Sequence, residues 1–130
     1  VPRFQPPEYY DRYQFPSNMI LVSWLNVYEA ILQADFHSTI FSTCALEAPS
    51  LGTPNLLIDI DGLSRKSYES ILTDPSATRY VTTIGEFLHL VSIRWFADRE
   101  VMIKNSDNLI KPGYQDNLTR ALSGLLTREQ

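Results

Sequence analysis

At 130 residues, with 44% hydrophobic and 20% charged residues, the chain has the make-up of one globular domain rather than of a disordered polymer. A single cysteine, Cys44, rules out an intrachain disulfide and with it a small secreted scaffold held by bridges. The net charge of −4 is unevenly spread: Tyr13 to Ser64 holds no Lys or Arg against five carboxylates, and no basic run exceeds Arg65-Lys66, which argues against a nucleic-acid partner.

Residues 1–16 carry four prolines and five aromatics, Phe4, Tyr9, Tyr10, Tyr13 and Phe15. Proline favours extended backbone, so this segment reads as an arm that packs its rings on a surface, of its own domain or of a partner. Residues 17–130 then read as a helical domain. The arm has no apolar signal core and the first residue is Val1, so the expectation is an intracellular segment, processed or cut from a longer protein. No stretch nears the ~20 apolar residues of a membrane span.

Ser17 or Asn18 is placed to cap a helix reaching about His37, apolar around most of its circumference. Thr39 to Leu46 fits a strand or a second helix, and Pro49 to Pro54 a loop. Leu56 to Ile60 is a short apolar run, followed by the Asp61-Gly62 turn signal. Ser64 to Leu72 predicts a short helix stopped by Asp74-Pro75. Thr83-Ile84-Gly85-Glu86 has the capping-box pattern and opens a helix expected to reach about Lys104. A last amphipathic helix is predicted from Tyr114 to about Thr127. Trp24, Leu25, Tyr28, Leu32, Phe87, Leu88, Val91 and Trp95 are the expected core, the two widest apolar helices packing on each other.

The string Leu56-Leu57-Ile58-Asp59-Ile60-Asp61-Gly62 resembles the first motif of haloacid-dehalogenase-like phosphatases. The resemblance implies Asp59 as nucleophile, Asp61 as general acid/base and a magnesium ion. Leu63 stands where that family usually has Thr. The other reading of the string is a strand end and turn. His37, His89 and Cys44 have no paired metal-ligand spacing, and no Gly-rich phosphate loop or nucleophile-elbow motif is present.

The expectation is thus a mainly α domain of about four helices in a compact bundle-like arrangement, with room for one short β element near residues 56–60. Functionally it is a non-enzymatic structural or protein-interaction module, a segment or subunit of a larger assembly. Its interaction arm is Phe4, Tyr9, Tyr10, Tyr13 and Phe15. A protein partner or self-association is expected, and no catalytic residue, metal or cofactor. The alternatives are the phosphatase using Asp59 and Asp61, and an apolar-ligand carrier whose helices line a cavity.

Overall fold

Helix initiation, rather than apolar periodicity, decides where the first helix begins. In the computed structural model, which describes residues 7–22, 24–107 and 109, α1 covers only Val27–Gln33. Its start is sealed reciprocally: the Glu29 amide donates to Asn26 Oδ1 and the Asn26 amide to Glu29 Oε2, both at 2.9 Å. Two of the amides left open at a helix start are satisfied in this way. The described residues between the 3₁₀ turn at Pro7–Arg12 and Asn26, 13–22 and 24–25, form no helix or strand.

The remaining helices are also short: α2 (Cys44–Glu47), α3 (Leu63–Tyr68), α4 (Ile84–Ile93) and α5 (Arg99–Asn105). The long helix expected from Thr83 to Lys104 is therefore two. Arg94 ends α4 in the left-handed conformation (φ 47°), and α5 restarts after Asp98. The helix expected from Tyr114 lies outside the described residues. Among the described residues, no helix is long and apolar enough to cross a membrane.

Strand β1 (Asn55–Ile58) pairs in parallel with β2 (Thr78–Val81), Asn55 opposite Thr78 and Ile58 opposite Val81. A third parallel segment lies on the other side of β1. A bridge joins His37 to Asn55, and the amides of Leu56 and Ile58 donate to His37 O (2.9 Å) and Thr39 O (3.0 Å). The order across the layer is thus residues 37–39, β1, β2, with α2, α3 and α4 each following its strand in the chain. Parallel neighbours need such crossover connections.

The expected bundle of about four helices is corrected to five short α-helices and a small parallel sheet among the described residues. The expected core is corrected with it. Trp24, Tyr28, Leu32, Leu88 and Val91 are exposed, Trp24 at 71%, while Leu25, Phe87 and Trp95 are half-buried. The core forms instead around β1, where Asn55, Leu56 and Leu57 are buried in succession, so both faces of the strand are covered. Leu57 packs with Ala45 of α2, Tyr68 of α3 and Leu72, with Tyr80 of β2 against them.

Asn55 is wholly buried. Its Nδ2 donates to Ala45 O at 2.6 Å and approaches Thr78 Oγ1 at 3.4 Å, and its Oδ1 accepts from His37 Nδ1 at 2.9 Å. An amide oxygen only accepts, so the His37 ring carries its proton on Nδ1. One side chain thereby touches both neighbouring parallel segments and α2. Asn55→Ala should cost about 2–4 kcal/mol, because it strands a buried carbonyl and an imidazole N–H together. Asn55→Asp should cost at least as much, since a carboxylate cannot donate to Ala45 O. Urea unfolding of the two variants measures this, and a loss under about 0.5 kcal/mol would contradict it.

Candidate interaction site

The Pro7–Arg12 turn gathers the arm's rings into one chain of contacts. Tyr9 meets Tyr10 edge-on (centroids 5.2 Å apart) and Tyr13 at a tilt (5.6 Å), and Tyr13 meets Phe15 (6.3 Å). The Tyr13 hydroxyl donates to the Tyr9 hydroxyl at 3.0 Å. Arg12 folds back, its Nε donating to Tyr9 O at 2.9 Å and its guanidinium lying 4.2 Å over the Tyr9 ring. The hydroxyl–hydroxyl bond between Tyr13 and Tyr9, with desolvation and the neighbouring phenols adding to it, raises the pKa of Tyr13. Of the five expected arm residues four are thus brought together, and Phe4 lies outside the described residues. The backbone here is a 3₁₀ turn, not the extended chain that the prolines suggested. Tyr13 and Phe15 keep more than a third of their surface exposed.

A second apolar surface was not foreseen. Helix α4 has a complete capping box: Glu86 N donates to Thr83 Oγ1, and Glu86 Oε2 accepts from the amides of Thr82 and Thr83. Hydrogen bonds from Thr82, with those from Thr83, outweigh a small desolvation effect and hold the Glu86 carboxyl below its usual range. Yet α4 buries none of its residues, and Ile84 is 80% and Leu88 61% exposed. Ile84, Leu88 and Val91 follow an i, i+4, i+7 spacing and form one stripe. Beside Ile84 an open groove of about 450 Å³, lined by Ile58, Ile60, Val81 and Phe87 with Thr82 and Thr83, runs at the carboxyl ends of β1 and β2.

The Asp-x-Asp-Gly string serves the fold. Asp59 is buried, accepts from the Arg65 amide (3.1 Å) at the start of α3 and pairs with Arg65 Nε (3.3 Å). Asp61 is exposed and takes a left-handed conformation (φ 52°), as does Gly62 (φ 74°), making the tight turn from β1 into α3. Both oxygens of Asp59 are therefore committed to Arg65. Among the described residues no three His, Cys, Asp or Glu side chains converge into a set able to hold a metal ion. His37 is engaged with Asn55, His89 is exposed on α4, and Cys44 is a half-buried free thiol at the start of α2.

Against this geometry, comparison with known protein families, curated proteins and solved structures finds no match.

Arg65 also reaches Glu69 (3.1 Å) and lies 5.0 Å over the ring of Tyr80. The Tyr80 hydroxyl is buried with no hydrogen-bond partner among the described residues. Burial pushes its pKa up to about 12, the Glu69 and Asp59 charges adding to the shift and Arg65 opposing it. A pKa raised in the folded state gives stability that is present below the ordinary value near 10 and is lost as pH rises towards 12. Tyr80→Phe should remove this alkaline dependence. At pH 7 it should be neutral or stabilising by up to about 1 kcal/mol, because an unbonded hydroxyl leaves the interior. Ultraviolet phenolate titration and unfolding midpoints at pH 7 and pH 11 check both halves.

Proposed function

We propose that the chain is a non-enzymatic structural or protein-interaction module, a segment or subunit of a larger protein assembly. The observation that carries this is α4, a helix sealed by a full capping box whose Ile84, Leu88 and Val91 stripe stays exposed, Ile84 and Leu88 most of all. Contiguous exposed apolar surface of this kind marks a contact site. Parallel sheets are normally covered on both faces, and here the carboxyl end of the layer stays open beside Ile84. The arm's exposed rings add a second surface of the same character, since aromatic residues are enriched at interfaces.

A second reading is favoured by the groove itself. Open parallel α/β layers bind ligands outside the carboxyl ends of their strands. The floor there is Ile58, Ile60, Val81 and Phe87, which suits an apolar small molecule rather than an ion. This carrier would use a surface groove, not a cavity between helices.

Leu88→Asp tests the first reading. Replacing an exposed stripe residue should change the stability of the isolated chain by no more than about 0.5 kcal/mol. It should also lower the fluorescence of a bound hydrophobic dye several-fold and remove any self-association seen by sedimentation at micromolar concentration. A stability loss of about 2–5 kcal/mol would show that the stripe is already covered within the chain and would overturn the reading. For the groove, Val81→Ser with Phe87→Ser should abolish uptake of a fatty-acid probe, while Leu88→Asp should leave it unchanged.

A further inference from the structure

Helix α4 presents more than an apolar row. Beside Ile84, Leu88 and Val91 runs a row of small residues, Gly85 and Ser92, each one residue further round the helix and both exposed. A Cβ on Gly85 would meet nothing nearer than Thr83 Oγ1 at 3.9 Å, so the space above that backbone is open. Ser92 donates its hydroxyl to His89 O at 2.7 Å, so its proton is satisfied inside the helix and covering it breaks no bond.

The two rows share a centre. Leu88 lies midway between Ile84 and Val91 along one and between Gly85 and Ser92 along the other. Two such helices laid antiparallel about a two-fold axis at Leu88 match row for row. Ile84 meets Val91 of the second copy, Leu88 meets Leu88, and Gly85 meets Ser92, each contact repeated in reverse as an isologous interface requires. The small row lets the backbones approach on its side, while the apolar row is buried on the other.

Charge favours the antiparallel sense. No Lys, Arg, Asp or Glu lies between Glu86 and Arg94, so like charges do not face each other along the contact. The same axis brings Arg94 of one copy level with Thr82 of the other, whose amide and hydroxyl hold the Glu86 carboxylate at 2.8 and 3.0 Å. Arg94 is exposed, and its ion pair with Asp35 is a long one of 3.9 Å. A parallel pair would instead set Glu86 beside Glu86, Arg94 beside Arg94 and the two helix dipoles side by side.

We propose that α4 is a homodimer contact, through which two copies of this chain pack antiparallel about Leu88. The proposal rests on the protein-interaction reading above and names a second copy as the partner. Ten residues of helix extend about 15 Å, which falls short of the ~800 Å² per partner of a standard interface. The dimer is therefore weak, with a dissociation constant on the order of 10–100 µM.

Sedimentation equilibrium of the full chain over about 5–500 µM should show a monomer–dimer equilibrium in that range. Gly85→Leu and Ser92→Leu both enlarge the apolar surface, yet each should weaken the dimer about 10-fold or more by wedging the small rows apart. Circular dichroism should show both variants folded, since position 85 has room for a side chain and Ser92 is exposed. Direction is read by cross-linking with diamide in a Cys44→Ser background. Leu88→Cys should form a disulfide dimer readily. Ile84→Cys alone should not, because an antiparallel pair holds its two copies about 12 Å apart along the axis. A mixture of Ile84→Cys and Val91→Cys chains should link to each other.

A chain that stays monomeric throughout overturns the proposal, whatever then covers the stripe. So does association that Gly85→Leu and Ser92→Leu leave unchanged or strengthen, or cross-linking of Ile84→Cys as ready as that of Leu88→Cys. The cross-linking series does not use the leucine variants, so a folding defect in those does not blunt the test. Where Leu88→Asp lowers dye binding at unchanged stability but the parent chain is monomeric, the interaction reading stands and the homodimer alone fails.

Discussion

The parallel layer depends on a buried amide. Asn55 sits at the first position of the central strand with no exposed surface, where an apolar residue would fill the space but bond nothing. Its oxygen holds the imidazole of His37, its nitrogen holds the last turn of α2 through Ala45 O, and the same nitrogen approaches Thr78 across the sheet. A buried polar group is costly unless its bonds are made, and for that reason it discriminates sharply between registers. Shifting β1 by one residue against either neighbour would leave the amide, the imidazole and a carbonyl without partners in the interior.

From there the order propagates towards the carboxyl ends of the strands through side chains of α3. Tyr68 clamps the loop before α2, its hydroxyl donating to Ser42 O (2.9 Å) and accepting from the Ser42 amide (2.8 Å). Ser64 Oγ lies within reach of both Ile40 O and Ile58 O, one hydroxyl proton serving the ends of two neighbouring segments. Asp59 binds the start of the same helix. Helix α3 therefore holds the strand ends by polar contacts on one side while Tyr68 and Leu72 add apolar contact with Leu57 on the other. In the Asp-x-Asp-Gly string the fold uses the first carboxylate as a cap and ion pair, and the second residue as a turn former.

What could be read from the sequence was local. The Thr83–Glu86 box was legible because both partners lie within one turn, and the Asp61-Gly62 turn because its residues tolerate positive φ. The equivalent Asn26–Glu29 box was present but hidden inside a long apolar run, and periodicity outweighed it. The stop at Arg94 has no signal, since a left-handed arginine is paid for by context and not announced by composition. Residues 37–39 and β2 were invisible for a different reason. These short polar and mixed stretches take up extended pairing, a single bridge at His37 and a strand at β2, only against β1, and that partner lies 18 to 23 residues away for the His37–Asn55 and Asn55–Thr78 contacts. Of the candidate site, the ring types were legible, whereas their gathering on a 3₁₀ turn required the backbone.

The mistaken core carries the most information. Periodicity places Trp24, Leu88 and Val91 inside, by the rule that an apolar helical stripe faces a core. The rule concerns where such a stripe is stable, and it does not specify that the covering surface belongs to the same chain. Among the described residues the core around β1 is built from Leu56, Leu57, Tyr68 and Leu72, and the α4 stripe is not among them. Each exposed apolar side chain of that stripe would gain ~1.5–3 kcal/mol from full burial. The capping box and the left-handed stop at Arg94 define the two ends of the helix locally, while on another side Phe87 meets Phe36 edge-on (centroids 5.9 Å). A helix whose ends are secured locally and whose apolar face is left open is already shaped before anything covers it. On the interaction reading proposed above, a partner would meet an ordered surface and bear little of the ordering entropy, which is the condition under which a small apolar stripe can support a specific contact.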